Sequence, residues 1–146
     1  MNIRPARAGE EAELTELAIR SKGHWGHDAA FLERARPELT VRPEHLERWI
    51  VRVAERDGAV VGFAAVDPGA RELEMLFVDP AAIGSGAGRA LLRDALAEAR
   101  MAGLGELLIE SDPDAEPFYR SQGAEPAGTR ASWSTGRELP LLRIAT

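Results

Sequence analysis

Apolar positions along this chain change their rhythm twice. Ile3 to Ala6 reads as a short edge strand, and Glu10 to Arg20 then carries Leu14, Leu17 and Ala18 at helical spacing, with acids near the start where the helix dipole favours them. Ser21 to Asp28, SKGHWGHD, breaks the pattern and predicts a loop with committed side chains. Ala29 to Arg36 returns to helical spacing until Pro37, and Pro43 opens another short helical turn that ends near Trp49.

From Ile50 the period shortens to two. Ile50 to Ala54 alternates, Asp57-Gly58 is a strong turn, and Val60 to Val66 is nearly all apolar, which together predict a central antiparallel hairpin. Pro68 and Gly69 turn the chain into a third strand, Glu72 to Val78. Helical spacing then resumes at Leu91, Leu92, Ala95, Leu96 and Ala99, with Gly103 placed to close the helix in a left-handed cap. Leu107 to Ile109 predicts a short buried strand. A second helix follows, with Asp114 as its expected N-cap, Pro117 in the first turn and Gly123 just past the end. Ala124 to Thr146 holds two strand-like runs around a polar turn, the better being Leu139 to Ile144. The pattern is that of helices combined with a central antiparallel hairpin and further strands.

Composition narrows the function classes. A length of 146 residues suits one core, so residues 1–146 are expected to form a single domain. With no cysteine there is no disulfide, thiolate nucleophile or cysteine-bound metal, and sulfur chemistry must come from a partner molecule. The formal charge of −6 argues against nucleic acid as a general partner and suits a cationic small substrate. No run approaches the ~20 apolar residues of a membrane span, and MNIRPARAGEE lacks a signal-peptide core, so no membrane association is expected and a cytoplasmic location is the default.

The candidate chemistry begins at Leu73 to Leu92, LEMLFVDPAAIGSGAGRALL, where Gly84, Gly86 and Gly88 lie between a strand end and a helix start. Bare backbone there can present successive N–H groups to an anion, aided by the helix dipole. A glycine-rich turn can also serve tight packing alone. A P-loop would need Gly-Lys-Ser/Thr where this chain has Gly88-Arg89-Ala90, and a dinucleotide fold would set the loop after the first strand of a βαβ unit, whereas a hairpin precedes it here.

LFVDPAAIGSGAGRALL followed by ESDPDAEPFYRSQGAEPAG resembles the GNAT superfamily of acetyl-CoA-dependent N-acetyltransferases, closely over Glu72 to Gly128. SKxHWG together with DPxAEPFY resembles a bacterial subgroup of that superfamily. The resemblance implies a single-domain GNAT fold, an α/β (α+β) architecture with a mixed, mostly antiparallel twisted sheet flanked by helices, and acetyl-CoA as co-substrate. It implies that the backbone of Leu76, Phe77 and Val78 pairs with the pantetheine amides, and that N–H groups across Gly84, Ser85, Gly86, Ala87, Gly88 and Arg89 cradle the pyrophosphate. Asp114 falls where many relatives place a pantetheine-contacting asparagine, and Tyr119 falls on the tyrosine that protonates the leaving thiolate. Three positions depart from the family. Ile83 replaces Gln or Arg, Ala82 replaces a common aromatic, and Ser85 replaces Arg or Lys, leaving phosphate binding to the backbone.

Acetyl transfer to an amine needs a free lone pair, yet an alkylammonium with a pKa of ~10 is protonated at neutral pH. Glu72 and Glu74, two apart on one strand, are the candidate bases, with Glu74 preferred as the closer to the pantetheine segment and Glu72 as a substrate contact or an exposed strand residue. Tyr119, the chain's one tyrosine, is the candidate acid, or else a packed tyrosine with a satisfied hydroxyl. His24, Trp25 and His27 are expected at the acceptor site, with Trp25 as a face for a cation or ring, and His27 also suits a plain loop histidine. Trp133 in SWSTG closes the same pocket, forms a lid, or makes a dimer contact. His24, His27 and His45 lack nearby acidic or cysteine partners in sequence, and no metal is expected. The expected activity is transfer of an acetyl group to a primary amine of a small molecule or peptide. The alternatives are a non-catalytic acyl-CoA-binding or sensory module and a transferase of a larger acyl group, for which Ala82 leaves room. The resemblance and the apolar late strand suggest a homodimer.

Overall fold

Seven strands and five helices pack so that the central strands are covered on both faces, as seen in a computed structural model that describes Met1–Thr146. In chain order they are β1 (Asn2–Pro5), α1 (Glu11–His24), α2 (Ala29–Leu39), α3 (Pro43–Arg48), β2 (Ile50–Arg56), β3 (Ala59–Asp67), β4 (Glu72–Val78), α4 (Ala87–Met101), β5 (Glu106–Glu110), α5 (Glu116–Ser121), β6 (Glu125–Ala131) and β7 (Glu138–Ala145). A single 3-10 turn, Pro80–Ala82, joins β4 to the glycine loop. The sheet order is β1-β2-β3-β4-β5-β7-β6, and every pairing is antiparallel except β4 with β5. This is the mixed, mostly antiparallel sheet that the resemblance implies, with the predicted hairpin β2–β3 inside it, between β1 and β4.

β3 is nearly all apolar because it is buried on both sides. Phe63 and Ala65 face the core made with Leu14, Leu17 and Ala18 of α1, while Ala64 and Val66 face the core made with Leu91, Leu92 and Ala95 of α4. Gly62 lets α4 come close. A Cβ there would lie 2.9 Å from both Leu91 Cδ1 and the Phe77 carbonyl oxygen.

Four local expectations change. α1 runs through SKGH to His24 rather than ending at Arg20, because Ser21 is buried and the chain leaves the helix only at Trp25 and Gly26, whose φ is +87°. α2 continues past Pro37 to Leu39, since the proline falls late in the helix and Leu39 is needed in the core. α5 is not capped by Asp114. Its cap residue is Ala115, and the Asp112 carboxylate instead accepts the Asp114 N–H, forming a turn before the helix. The apolar run of Leu139 to Ile144 is consumed within the chain, because β7 lies between β5 and β6, so it offers no free strand for a dimer. Gly103 behaves as expected, with φ +87° after the last turn of α4, and the Leu104 N–H reaches back to the Ala99 carbonyl.

The parallel pair is what makes room for a site. β4 and β5 meet at one register position, Glu72 with Leu108, and then separate. Leu76, Phe77 and Val78 pair with Ala64, Phe63 and Gly62 of β3, but their outward edge has no strand beside it.

Candidate active site

The opening between β4 and β5 widens into two adjoining cavities, of about 720 and 390 Å³. Leu76, Trp25, Ser21, Asp114, Ala115 and Tyr119 line both, so they form the joint between the two. The smaller cavity ends at the glycine loop, and the larger at Glu74, α3 and the β6–β7 turn.

The loop is built to display backbone donors. Gly84 and Gly86 have φ of +84° and +88°, a region costly for residues with a Cβ, although open space surrounds both. Backbone conformation, not packing, therefore requires these glycines. The Ser85 N–H bonds to the Ala82 carbonyl and the Ala90 N–H to that of Gly86, whereas the N–H groups of Gly84, Gly86, Gly88 and Arg89 have no acceptor within the chain. The Ser85 hydroxyl turns inward to accept the Ala87 N–H at 3.4 Å, so it makes a local turn contact instead of lining the cavity. Ala82 is buried beneath the loop and Ile83 is exposed beside it. The set of unpaired donors at the start of a 15-residue helix, Ala87–Met101, suits an anionic pyrophosphate, and the bare edge of β4 suits an extended amide chain leading to it.

Glu74 occupies a bulge. Met75 pairs with Ala65 but Leu73 with Val66, which leaves Glu74 as the extra residue of β4. Leu73 accordingly packs against the α4 core and Met75 against the α1 core, so simple alternation does not put Glu72 and Glu74 on one face. They meet because both line the larger cavity. Their states differ. Glu72 bonds to the Arg130 Nη2 at 2.7 Å, and the Arg130 Nε bonds to Glu110 at 2.6 Å. Glu74 has no hydrogen-bond partner, and burial, followed by the charges of Glu72 and Asp67, pushes its carboxyl up to about 7. A carboxylate held there can accept a proton near neutral pH.

Tyr119 sits at the joint, 7% exposed, on α5. Burial raises its phenol above the ordinary value of 10.0, with no hydrogen bond in the chain to offset it. The side chain is therefore a protonated donor at neutral pH. Asp112 fixes the segment before α5. Burial would raise its carboxyl, but the Lys22 hydrogen bond, the Asp114 N–H and the charges of Lys22 and Arg137 outweigh that and hold it at about 2. Lys22 Nζ lies 2.8 Å from Asp112 Oδ2, which ties SKGHWG directly to DPDAEPFY.

Residues 11–131 match the acetyltransferase (GNAT) domain family. The chain belongs to that family. A GCN5-related N-acetyltransferase from Rhodopseudomonas palustris has the same fold, with a TM-score of 0.85 over 99% of this chain and 95% of the other at 18% identity. PaiA N-acetyltransferase from Thermoplasma acidophilum, solved in complex with coenzyme A, gives 0.78 over 99% and 98% at 18% identity. A protein named IAA acetyltransferase from Azospirillum brasilense is 40% identical over 83 residues, 52% of this chain and 54% of the other. The chain thus spans about half the length of that relative.

Within this GNAT chain the expected residues separate into four groups. Val78, Gly84, Gly86, Ala87, Gly88 and Arg89 line the smaller cavity, and Leu76, Asp114 and Tyr119 line both cavities. Phe77, Glu72, Glu74 and Trp133 line only the larger one, while Trp25 belongs to the joint. His24 and His27 line neither. His24 stands edge-on to Trp25 with ring centroids 5.3 Å apart, and His27 stacks on Phe31 at 4.0 Å with its buried Nε2 3.5 Å from Asp112. His27 is thus packed behind the site because Asp28 caps α2 and folds the loop inward. No cluster of three or more His, Cys, Asp or Glu side chains has metal-binding geometry. No helix is long and apolar enough to cross a membrane.

Sequence reasoning missed Arg130, Glu110, His45 and Trp49, all of which line the larger cavity. The last two carried a readable signal. They are spaced i, i+4, His45 on α3 and Trp49 at its C-terminal cap, and stack at 3.9 Å with planes 9° apart. Arg130 and Glu110 come from strands distant in sequence, and nothing local marks them.

Proposed function

We propose that this protein is an acetyl-CoA-dependent N-acetyltransferase acting on a primary amine by direct attack. One observation carries the reading: the unpartnered carboxyl of Glu74, held near neutrality, opens into the same cavity as the protonated Tyr119 and the bare edge of β4. Acetyl-CoA enters as co-substrate, its pyrophosphate on the free N–H groups of Gly84 to Arg89 and its pantetheine along Leu76 to Val78. Asp114 contacts that arm at the joint. Glu74, directly or through a water, takes a proton from the acceptor ammonium. The amine nitrogen then bonds to the thioester carbonyl carbon, whose oxygen is polarised by β4 N–H groups, the C–S bond breaks, and Tyr119 donates its proton to the departing thiolate.

Glu72 is assigned to positioning, because its charge is committed to Arg130. Trp25 and Trp133 are assigned to the acceptor, and His24 and His27 to holding Trp25 and Asp112 in place. The subgroup marked by SKxHWG and DPxAEPFY is read as a unit, supported by the Lys22 to Asp112 ion pair between the two segments.

Isothermal titration of the purified protein with acetyl-CoA and CoA, followed by free-thiol release across an amine panel, tests the reading. Saturable binding and amine-dependent thiol release are expected. Absence of CoA binding sinks it. Tight binding without transfer or thioester hydrolysis would instead favour an acyl-CoA sensor, a reading that rests on Ile83 and Ser85 in place of phosphate-binding side chains.

A further inference from the structure

All three tryptophans of the chain line the larger cavity. Trp25 follows α1, Trp49 follows α3, and Trp133 lies in the β6–β7 turn, so elements far apart in sequence each contribute an indole to the lining of one cavity. Trp25 and Trp133 are 52% and 71% exposed, a costly position for indole unless a ligand covers it. The Trp133 turn is also anchored. The Glu38 carboxylate of α2 accepts both the Ser132 hydroxyl and the Ser134 N–H, so the ring is held at the rim of the cavity by hydrogen bonds on either side of it.

Charge narrows the occupant. Lys22 and Arg130 are each bound to carboxylates, which leaves no buried cation to receive a substrate carboxylate. Arg42 also lines the cavity but is an exposed side chain. Burial lowers the pKa of the adjacent His45, so its imidazole is neutral at physiological pH. Glu72 and Glu110 share the one cation of Arg130, Asp112 pairs with Lys22, and Glu38 is held by hydrogen bonds alone, which leaves the cavity net negative, with the half-buried Glu74 as a carboxylate free of hydrogen bonds and ready for an ammonium. The cavity therefore offers aromatic faces, a net negative interior with Glu74 free to take a proton, and no cation inside it that is free of a carboxylate, Arg42 standing exposed at its rim.

Resting on the acetyl-transfer reading, we propose that the acceptor is an arylalkylamine: an aromatic ring on a short alkyl chain ending in a primary amine, without a carboxylate beside it. The ring packs against Trp133 and Trp25, where offset or edge-to-face contacts add to simple burial, and the amine reaches Glu74.

Two measurements test this on the full chain. In the first, kcat/KM is compared for phenethylamine, hexylamine, putrescine and phenylalanine. Phenethylamine is expected to exceed each of the others by about tenfold. Equal or better turnover of hexylamine removes the ring, of putrescine replaces it with a second cation, and of phenylalanine shows a carboxylate receptor; any of these overturns the proposal. In the second, tryptophan emission is followed during phenethylamine titration of the CoA-bound protein. All emitting indoles report from this cavity, and a saturable change is expected, with Kd raised about fivefold in Trp133→Ala. CoA affinity by titration calorimetry is read in parallel, since Trp133 lies outside the smaller cavity. Loss of CoA binding or of all thiol release refutes acetyl transfer while the emission change can persist. Normal CoA binding and amine turnover with no emission response, or with an unchanged Kd in Trp133→Ala, refutes the arylalkylamine assignment alone.

Discussion

Replacing Glu74 by Gln should damage catalysis and strengthen the fold at the same time. The side chain keeps its shape but loses the charge that burial and the neighbouring Glu72 and Asp67 disfavour. Raising a carboxyl from 4.5 to about 7 corresponds to a ceiling of about 3 kcal/mol, at 1.36 kcal/mol per pH unit. The cavity admits water, so screening reduces the expected gain to about 1–2 kcal/mol. The sign follows from proton binding: between these two pKa values the folded state holds a proton that the unfolded chain has lost, so wild-type stability falls as pH rises through this window. The penalty is complete above about 7 and absent in Glu74→Gln. At pH 8 the variant should melt higher by about 2–8 °C, a difference that shrinks as pH falls to 5. Catalysis should move the other way. With an amine of pKa ~10, log kcat/KM in the wild type should rise with slope one below pH ~7, where Glu74 must be ionised to take the ammonium proton, and level off from there to pH ~10. The variant should show slope one throughout and activity lower by about 10²–10⁴-fold above pH 7. Melting by circular dichroism across pH and thiol-release kinetics supply both readouts. A variant that retains the break near pH 7, or gains no stability at pH 8, refutes the reasoning from a desolvated carboxylate.

Tyr119→Phe should lower kcat by about 10²-fold while leaving CoA affinity within about twofold, because it removes a proton donor and not a packing ring. As the hydroxyl has no hydrogen-bond partner in the chain, folding stability should be unchanged or slightly higher; lost stability with intact turnover would show a structural hydroxyl instead. Arg130→Ala strips the cation from Glu72 and Glu110 and with it the positive charge that holds the Glu74 carboxyl down. The slope break should therefore move above pH 7, with a stability loss of about 1–3 kcal/mol in urea unfolding; a break that stays in place would show that Arg130 does not act on Glu74.

Periodicity by itself determined the order of elements, the central hairpin and the glycine-rich entry to α4, because each of these rests on contacts or dihedrals within a few residues. The donor half of the site was legible for the same reason: strand, loop and helix start are contiguous, and two glycines with positive φ advertise the backbone conformation. The end of α1 and the cap of α5 were misplaced because SKGH and DPDAEP each allow two local conformations, and the choice was made by burial of Ser21 and by the bonds of Asp112 to Lys22 and the Asp114 N–H. Of the acceptor half, Glu72, Glu74, Trp25 and Trp133 were legible in the sequence, whereas Arg130, Glu110, His45 and Trp49 came from tertiary structure alone. The bulge at Glu74 breaks the period on which strand reading depends, and the ion pairs of Arg130 and the gathering of three tryptophans join segments up to about a hundred residues apart. Charge and aromatic rings carry no local signature of where they will meet; the splaying of β4 from β5 opens the one space in which they do.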